Sequence, residues 1–257
     1  MKIRAAIFDI YDTLLERGPA PVDAEPRWQE LWRRALGSSA PLGLGQFAGE
    51  CERLVWSEHE AARALGVTHP EVFWPDILAK ARPELAGLSK EAREDFAFRH
   101  GQLLHTARLM PGAADALKKL RRSQVLLGLA SNAQPYTKRE LENELAQVGL
   151  NPKMFHPALG LFSFELGFSK PDPHFFRLLR TRLHLIRIEA PQILFVGNRP
   201  ENDLAPARAQ GWQTWLISNT RDGSGAEGQT GTWAEFTKWL ASPGGPMKEN
   251  LETRAGS

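Results

Sequence analysis

Ile3-Arg4-Ala5-Ala6-Ile7-Phe8-Asp9-Ile10-Tyr11-Asp12-Thr13-Leu14-Leu15 is the stretch whose reading decides the fold. Ile3 to Phe8 is a short, mostly apolar run with β-branched and aromatic members. It predicts a strand buried on both faces, as in parallel sheets. The run ends in Asp9, with Asp12 and the hydroxyls of Tyr11 and Thr13 close behind. Open α/β sheets bind ligands beyond the carboxyl ends of their strands, so a carboxylate there stands where chemistry is done. One acid after one strand also reads as a plain turn cap. Asp9 gains weight only if later strands end in complementary groups.

Working outward, the strand signals stop after Leu15. Gly18-Pro19-Ala20-Pro21 reads as a linker, followed by roughly ninety residues of helical pattern. Trp28, Leu31, Trp32, Ala35 and Leu36 share one helical face. Phe47, Cys51, Leu54 and Val55 mark a second helix, closed by Gly66. A third is expected from Glu71 to Lys80 and a fourth from Lys90 to Leu109. No strand is read between Glu16 and Leu109, so residues 16–109 are expected to form an inserted helical subdomain. Trp28, Trp32, Trp56 and Trp74 lie in it; aromatics at such spacing are more often core than pocket lining.

Met110-Pro111-Gly112 resets the pattern to alternating strands and helices. A helix from Ala113 to Arg121 precedes a strand, Val125 to Ala130, that ends at Ser131-Asn132. A helix from Pro135 to Val148 precedes a strand from Leu159 to Phe164. The polar run Gly167 to Pro173 follows, carrying Lys170, and then an amphipathic helix from Pro173 to Leu183. Gln192 to Gly197 is a further buried strand ending at Asn198, and a helix is expected from Glu201 to Gln210. Trp212 to Ser218 reads as a strand, Asn219 to Gly231 as a loop, and Trp233, Phe236, Trp239 and Leu240 as one face of a last helix. This alternation predicts an α/β fold, a doubly wound, mainly parallel Rossmann-like sheet built from residues 1–15 and 110–240. Residues 241–257 are expected to be a disordered tail.

The totals narrow the function. The chain has 257 residues, enough for one large core or a core plus an insert. At 42% hydrophobic and 24% charged it is an ordinary globular composition, and a net charge of +2 gives no reason to expect nucleic acid. A single cysteine, Cys51, precludes an intramolecular disulfide. With no apolar run of membrane-spanning length and no signal-peptide pattern, no membrane partner is expected and the cytoplasm is the expected location.

Four polar stations then follow elements that would converge: Asp9, Ser131, Lys170, and the turn from Asn198 to Asp203. The set resembles the haloacid dehalogenase (HAD) superfamily. The matching pieces are Phe8-Asp9-x-x-x-Thr13-Leu14, Ala130-Ser131-Asn132, Gly167-x-x-Lys170-Pro171-Asp172-Pro173, and Val196-Gly197 through Asn202-Asp203. The resemblance implies a hydrolase in which Asp9 attacks phosphorus or carbon to form a covalent aspartyl intermediate. Lys170 would hold nucleophile and transferred group by charge. Ser131 would donate to the bound anion, with Thr13 and Asn132 also at the substrate and Thr13 bracing the first loop. The helical insert would be a cap of the family's first class. The implied substrate is a small anionic metabolite, phosphorylated in the superfamily's commonest use.

Two departures qualify this. Phosphatases of the family carry a second acid two residues after the nucleophile as proton donor, and here that position is Tyr11. General acid catalysis contributes about 10²–10⁴-fold, so Asp12, or Tyr11 itself, would have to substitute. A tyrosine there resembles the 2-haloacid dehalogenases, which expel halide without a proton and would need a cationic cradle; Arg27, Arg33 and Arg34 are candidates. The family's metal-binding Asp after the fourth strand is replaced by Asn198, followed by Arg199. Asp9 and Asp203 remain as candidate Mg²⁺ ligands. Trading an acid for an amide beside a guanidinium predicts weak metal binding, with Arg199 pairing with Asp203 or the bound anion. A non-catalytic member that binds a ligand or a protein is the alternative from another class.

Overall fold

The computed structural model describes residues 2–218, 229–242 and 245. In chain order the elements are β1 (Ala5–Phe8), β2 (Leu15–Gly18), α1 (Ala24–Leu36), α2 (Leu44–Ala64), α3 (Trp74–Ala81), α4 (Pro83–Ala86), α5 (Lys90–Leu104), β3 (Thr106–Leu109) and α6 (Ala113–Arg122). Then come β4 (Leu126–Ser131), α7 (Pro135–Gln147), β5 (Phe155–Phe162), α8 (Ser163–Leu166), α9 (Pro173–Leu185), β6 (Ile193–Gly197), α10 (Ala205–Ala209), β7 (Gln213–Ile217), β8 (Gln229–Gly231) and α11 (Trp233–Ala241).

Six strands form one sheet in the order β5-β4-β1-β6-β7-β8, with every pairing parallel. Side chains alternate faces along a strand, and β1 obeys this. Ala6 and Phe8 pack on one side with Leu117 and Leu120 of α6, Leu141 and Leu145 of α7, and Phe236 of α11. Ala5 and Ile7 pack on the other with Phe175, Phe176 and Leu179 of α9 and Ala207 of α10. Burial on both faces explains the uninterrupted apolar run. The chain winds outward from β1 to β4 and β5, then crosses back to β6. The winding reverses beside β1, and a crevice opens there at the carboxyl ends of β1, β4 and β6.

The helical stretch has its own core, in which Trp28 stacks on Phe47 with ring centroids 4.9 Å apart and Trp32, Cys51, Ile77 and Phe96 complete the packing. Trp28 also donates its indole N–H to Leu42 O at 2.8 Å. Trp56, by contrast, is exposed. Among the described residues no helix is long and apolar enough to cross a membrane.

Several sequence expectations are corrected. Residues 16–109 are not wholly helical: β2 and β3 pair antiparallel as a separate two-stranded ribbon, Leu15 opposite Leu109 and Gly18 opposite Thr106. Each strand has four residues and half-polar composition, too short for a periodic signal, so α5 ends at Leu104 and not at Leu109. Gly18 permits the close approach, because a Cβ there would lie 2.4 Å from Thr106 Oγ1. The third helix starts at Trp74, not Glu71, with Pro75 in its first turn. β5 begins at Phe155 and not at Leu159, and its pairing with β4 slips between Leu127 and Leu129. The helix expected from Glu201 is a π-helical turn, Pro200–Leu204, leading into the short α10. Residues 229–231, expected in a loop, form edge strand β8 against Trp215, Leu216 and Ile217. The tail expectation lies outside the described residues, apart from Ala241, Ser242 and Gly245.

Candidate active site

Asp9 leaves the end of β1 with its backbone N–H on Val196 O of β6, 3.0 Å away. Its side chain is nearly buried, and the Lys170 ammonium donates to Asp9 Oδ1 at 2.8 Å and to Asp203 Oδ1 at 2.5 Å. Two carboxylates from β1 and the π-helical turn therefore share one buried cation. Burial raises the Asp9 pKa above the ordinary carboxylate value; Lys170 pulls it down and Asp203 adds to the rise. Burial also works against the charged Lys170, yet the two carboxylates outweigh it and hold its pKa above the usual value. The lysine stays a cation wherever the carboxylates are ionised.

The loop after β1 is a tight backbone knot, with Leu14 N and Leu15 N both on Ile10 O at 2.7 and 2.8 Å. The indole of Trp233 donates to Thr13 O at 2.8 Å, fastening that loop to α11. Thr13 is fully buried behind the pocket, its hydroxyl 3.4 Å from both Asp9 Oδ2 and Asn198 Oδ1. It braces the loop that carries Asp9 and, although expected at the substrate, is not among the residues that line the cleft. Gly197 is what lets Asp203 approach β6: a Cβ there would lie 2.6 Å from Asp203 Oδ2.

The cleft has a volume of about 80 Å³ and is lined by Asp9, Tyr11, Arg17, Ser131, Asn132, Lys170, Arg199, Asn202 and Asp203. Ser131 Oγ is buried at the end of β4, near enough to Asp9 for its hydroxyl to help lower that carboxylate's pKa, but makes no well-formed hydrogen bond among the described residues. That donor is fit to meet a ligand's oxygen or carboxylate. Asn132 lines the cleft, but both ends of its amide are taken. Its Oδ1 accepts from Lys170 N at 2.7 Å and its Nδ2 donates to Lys170 O at 2.9 Å. Asn132 thus ties its own loop to the Lys170 backbone while lining the cleft.

Neither expected proton donor is free. The Tyr11 hydroxyl donates to Glu140 Oε2 at 2.5 Å and lies 3.1 Å from Thr137 Oγ1. Burial, then the Glu140 charge, pushes its pKa well above the ordinary phenol value. Asp12, forced by the knot to φ 57°, turns out of the cleft and pairs with Arg17 Nη2 at 2.6 Å. Arg199 lines the cleft; its tie to Asp203 is through its backbone N–H, 3.1 Å from Oδ2, and not through the expected ion pair. Arg27, Arg33 and Arg34 do not line this cleft and pair instead with Asp23 or Glu30. The cation missed in the sequence is Arg17, brought to the rim by the β2–β3 ribbon and lying over the Tyr11 ring at 5.1 Å. Only the ribbon's register reveals it.

These donors leave little room for a divalent cation. All four oxygens of Asp9 and Asp203 accept hydrogen bonds, from Lys170 twice, Thr13 and Arg199 N–H. Asn198 adds only a neutral amide, and the described residues contain no cluster of three or more acids, histidines or cysteines suited to a metal. Mg²⁺ favours near-octahedral oxygen ligation, and in this arrangement the residues do not fit it.

The model of a haloacid dehalogenase-like hydrolase matches residues 3–211. The chain belongs to this family. Phosphoserine phosphatase of Thermus thermophilus is 32% identical over 141 residues, 54% of this chain and 52% of that protein. The chain thus matches about half the length of that curated relative. Among solved structures, the 2-haloacid dehalogenase from Pseudomonas syringae pv. Tomato DC3000 is 21% identical with a TM-score of 0.57, covering 93% of this chain and 98% of that one. A HAD phosphatase from Thermococcus onnurineus is 20% identical with a TM-score of 0.54, covering 96% and 100%. At such identities these structures establish the shared HAD fold. Phosphatases and dehalogenases both stand among the relatives of this HAD hydrolase, and fold by itself does not choose between them.

Proposed function

We propose that this hydrolase cleaves a small anionic substrate through a covalent intermediate on Asp9, and that its leaving group departs without a proton from the enzyme. One Asp9 oxygen attacks the electrophilic centre, and the bond to the leaving group breaks with its electron pair. Water then hydrolyses the aspartyl ester, its proton passing to solvent. Lys170 holds Asp9 in place and offsets the charge that moves. Ser131 and the rim guanidiniums Arg17 and Arg199 would bind the substrate's anionic group. The helical unit, residues 16–109, would act as a cap that limits water.

The observation that carries this reading is that both acids near the nucleophile are occupied, Tyr11 by Glu140 and Asp12 by Arg17. A halide needs no proton to leave, so a metal-independent, dehalogenase-like reaction on a 2-halo acid fits best. Phosphoester hydrolysis is the second reading, favoured by the 32% identity to a phosphoserine phosphatase.

A panel of 2-chloropropionate, 2-phosphoglycolate and p-nitrophenyl phosphate, each with and without Mg²⁺, tests the assignment. Halide release without metal, abolished by Asp9→Asn, is the expected result. Metal-dependent phosphate release alone would replace it with the second reading. Turnover of no substrate would favour a member that binds without catalysis.

A further inference from the structure

The segment joining α2 to α3, residues 65–73, crosses from the helical unit onto the core and touches both loops that flank Asp9. On the Lys170 loop, Ser169 N donates to His69 O at 2.8 Å and Glu71 N donates to Gly167 O at 3.1 Å. Thr68 Oγ1 donates to Asp172 Oδ2 at 3.3 Å. On the Ser131 loop, Gln134 spans the junction. Its Oε1 accepts from Trp74 N at 2.8 Å, and its Nε2 donates to Val72 O at 2.8 Å and to Glu71 Oε1 at 3.2 Å.

Glu71 is where these ties meet. Its Oε2 accepts from Ser163 Oγ at 2.6 Å, and Ser163 Oγ in turn accepts from Ala133 N at 2.9 Å. Ser163 is fully buried and Gln134 nearly so, which makes every unpaired donor there costly. Burial also raises the Glu71 pKa, as expected for a carboxylate that no lysine or arginine neutralises. Asn132 then clamps the two loops to each other through the Lys170 backbone. The helical unit therefore meets the core through the β2–β3 ribbon, through α5 against α7, where Arg139 pairs with Asp95, and through this strap.

We propose that residues 68–74 are a positioning strap for Ser131 and Lys170, and that Glu71 is its positioning residue. The strap acts through hydrogen bonds to the two loops and not by touching substrate. Glutamine can serve at position 71, because the Ser163 hydroxyl is free to turn and accept from its amide. Alanine cannot, since it removes the acceptor that Ser163 Oγ, Gln134 Nε2 and Val72 N share and leaves Ser163 only the 3.3 Å contact to Ala133 O and Gln134 Nε2 only Val72 O.

Amide hydrogen exchange on the full chain tests this without reference to any substrate. In Glu71→Ala, exchange at Ala133, Ser169 and Lys170 should quicken by about tenfold or more, with β6 amides changed less than about threefold. Glu71→Gln should restore all three. A Leu120→Ala variant, truncated in the core on α6, should not reproduce the local pattern. Uniform acceleration across the sheet, no acceleration at the three amides, or no rescue by glutamine would each overturn the proposal. Where Asp9-dependent turnover is measured, Glu71→Ala should lower kcat about tenfold and leave KM within about twofold. That arm rests on the proposed function. A wild type inactive on the whole panel sinks the function, while the exchange data still decide the strap.

Discussion

Replacing Lys170 by methionine keeps most of the side chain's volume and removes only the charge that Asp9 and Asp203 share. The ammonium lies 2.8 and 2.5 Å from the two carboxylates, with the lysine side chain 2% exposed. Breaking one buried pair by deleting a partner costs about 3–5 kcal/mol, because the other charge stays buried and uncompensated. Two carboxylates are orphaned here, so the upper part of that range is expected. For a chain of this size each kcal/mol is worth about 2–4 °C, giving a Tm loss of about 10–20 °C. The pH dependence has a definite sign. Burial already holds the folded Asp9 pKa above 3.8, and removing Lys170 deletes the largest influence that lowers it. The folded variant therefore binds protons that the unfolded chain has released, and its stability rises as pH falls toward the carboxylate range. Urea unfolding followed by tryptophan fluorescence at pH 7.5, 6 and 5 measures the deficit. It should be largest at pH 7.5 and shrink on acidification, and Lys170→Met/Asp203→Asn should recover more than half of it. A loss below about 1 kcal/mol, or a deficit that grows as pH falls, would refute the shared-cation account.

Three further outcomes follow from the same geometry. Tyr11→Phe should cost about 1–3 kcal/mol in urea unfolding, because buried Glu140 loses a donor at 2.5 Å, and should change kcat by less than about threefold. Gly197→Ala should cost about 1–3 kcal/mol and reduce turnover more than about tenfold, since the new Cβ would meet Asp203 Oδ2 at 2.6 Å; normal stability and kcat would remove the close-approach argument. Burial pushes the His100 pKa from 6.5 down to about 4, and neither ring nitrogen has a partner. The unfolded chain takes up that proton first, so about 3 kcal/mol of stability should be lost as pH falls from 6.5 toward 4. His100→Phe should flatten that part of the stability profile, and an unchanged slope would show that another group titrates.

How much of this was legible beforehand depended on how local each signal is. β1, β4, β6 and β7 lie at the heart of the sheet and are buried on both faces, so their apolar runs stand out in a short window. Asp9 and Ser131 were readable because each stands at the end of one of those strands, and Lys170 because it lies in a short polar run just before an amphipathic helix. Trp28, Trp32, Phe47 and Cys51 were readable as a helical core by the same logic, since a helix repeats its buried face every 3.6 residues. From sequence alone, then, came the α/β class, a mostly helical stretch after β2, and Asp9, Ser131, Lys170 and Asp203, which the fold brings to one cleft.

What tertiary structure alone decided were properties of pairs distant in the chain. Whether Tyr11 is free or bound depends on Glu140 and Thr137, more than a hundred residues away. Arg17 reaches the cleft because Leu15–Gly18 pairs with Thr106–Leu109, and neither four-residue strand has a periodic signal of its own. Asp12 faces outward because the knot at Ile10 leaves it a positive φ. The metal question turned on which carboxylate oxygens Lys170, Thr13 and the Arg199 N–H already occupy. A residue's type sets the chemistry it can perform, whereas its partners set which protons and charges are available, and only the folded chain chooses those partners.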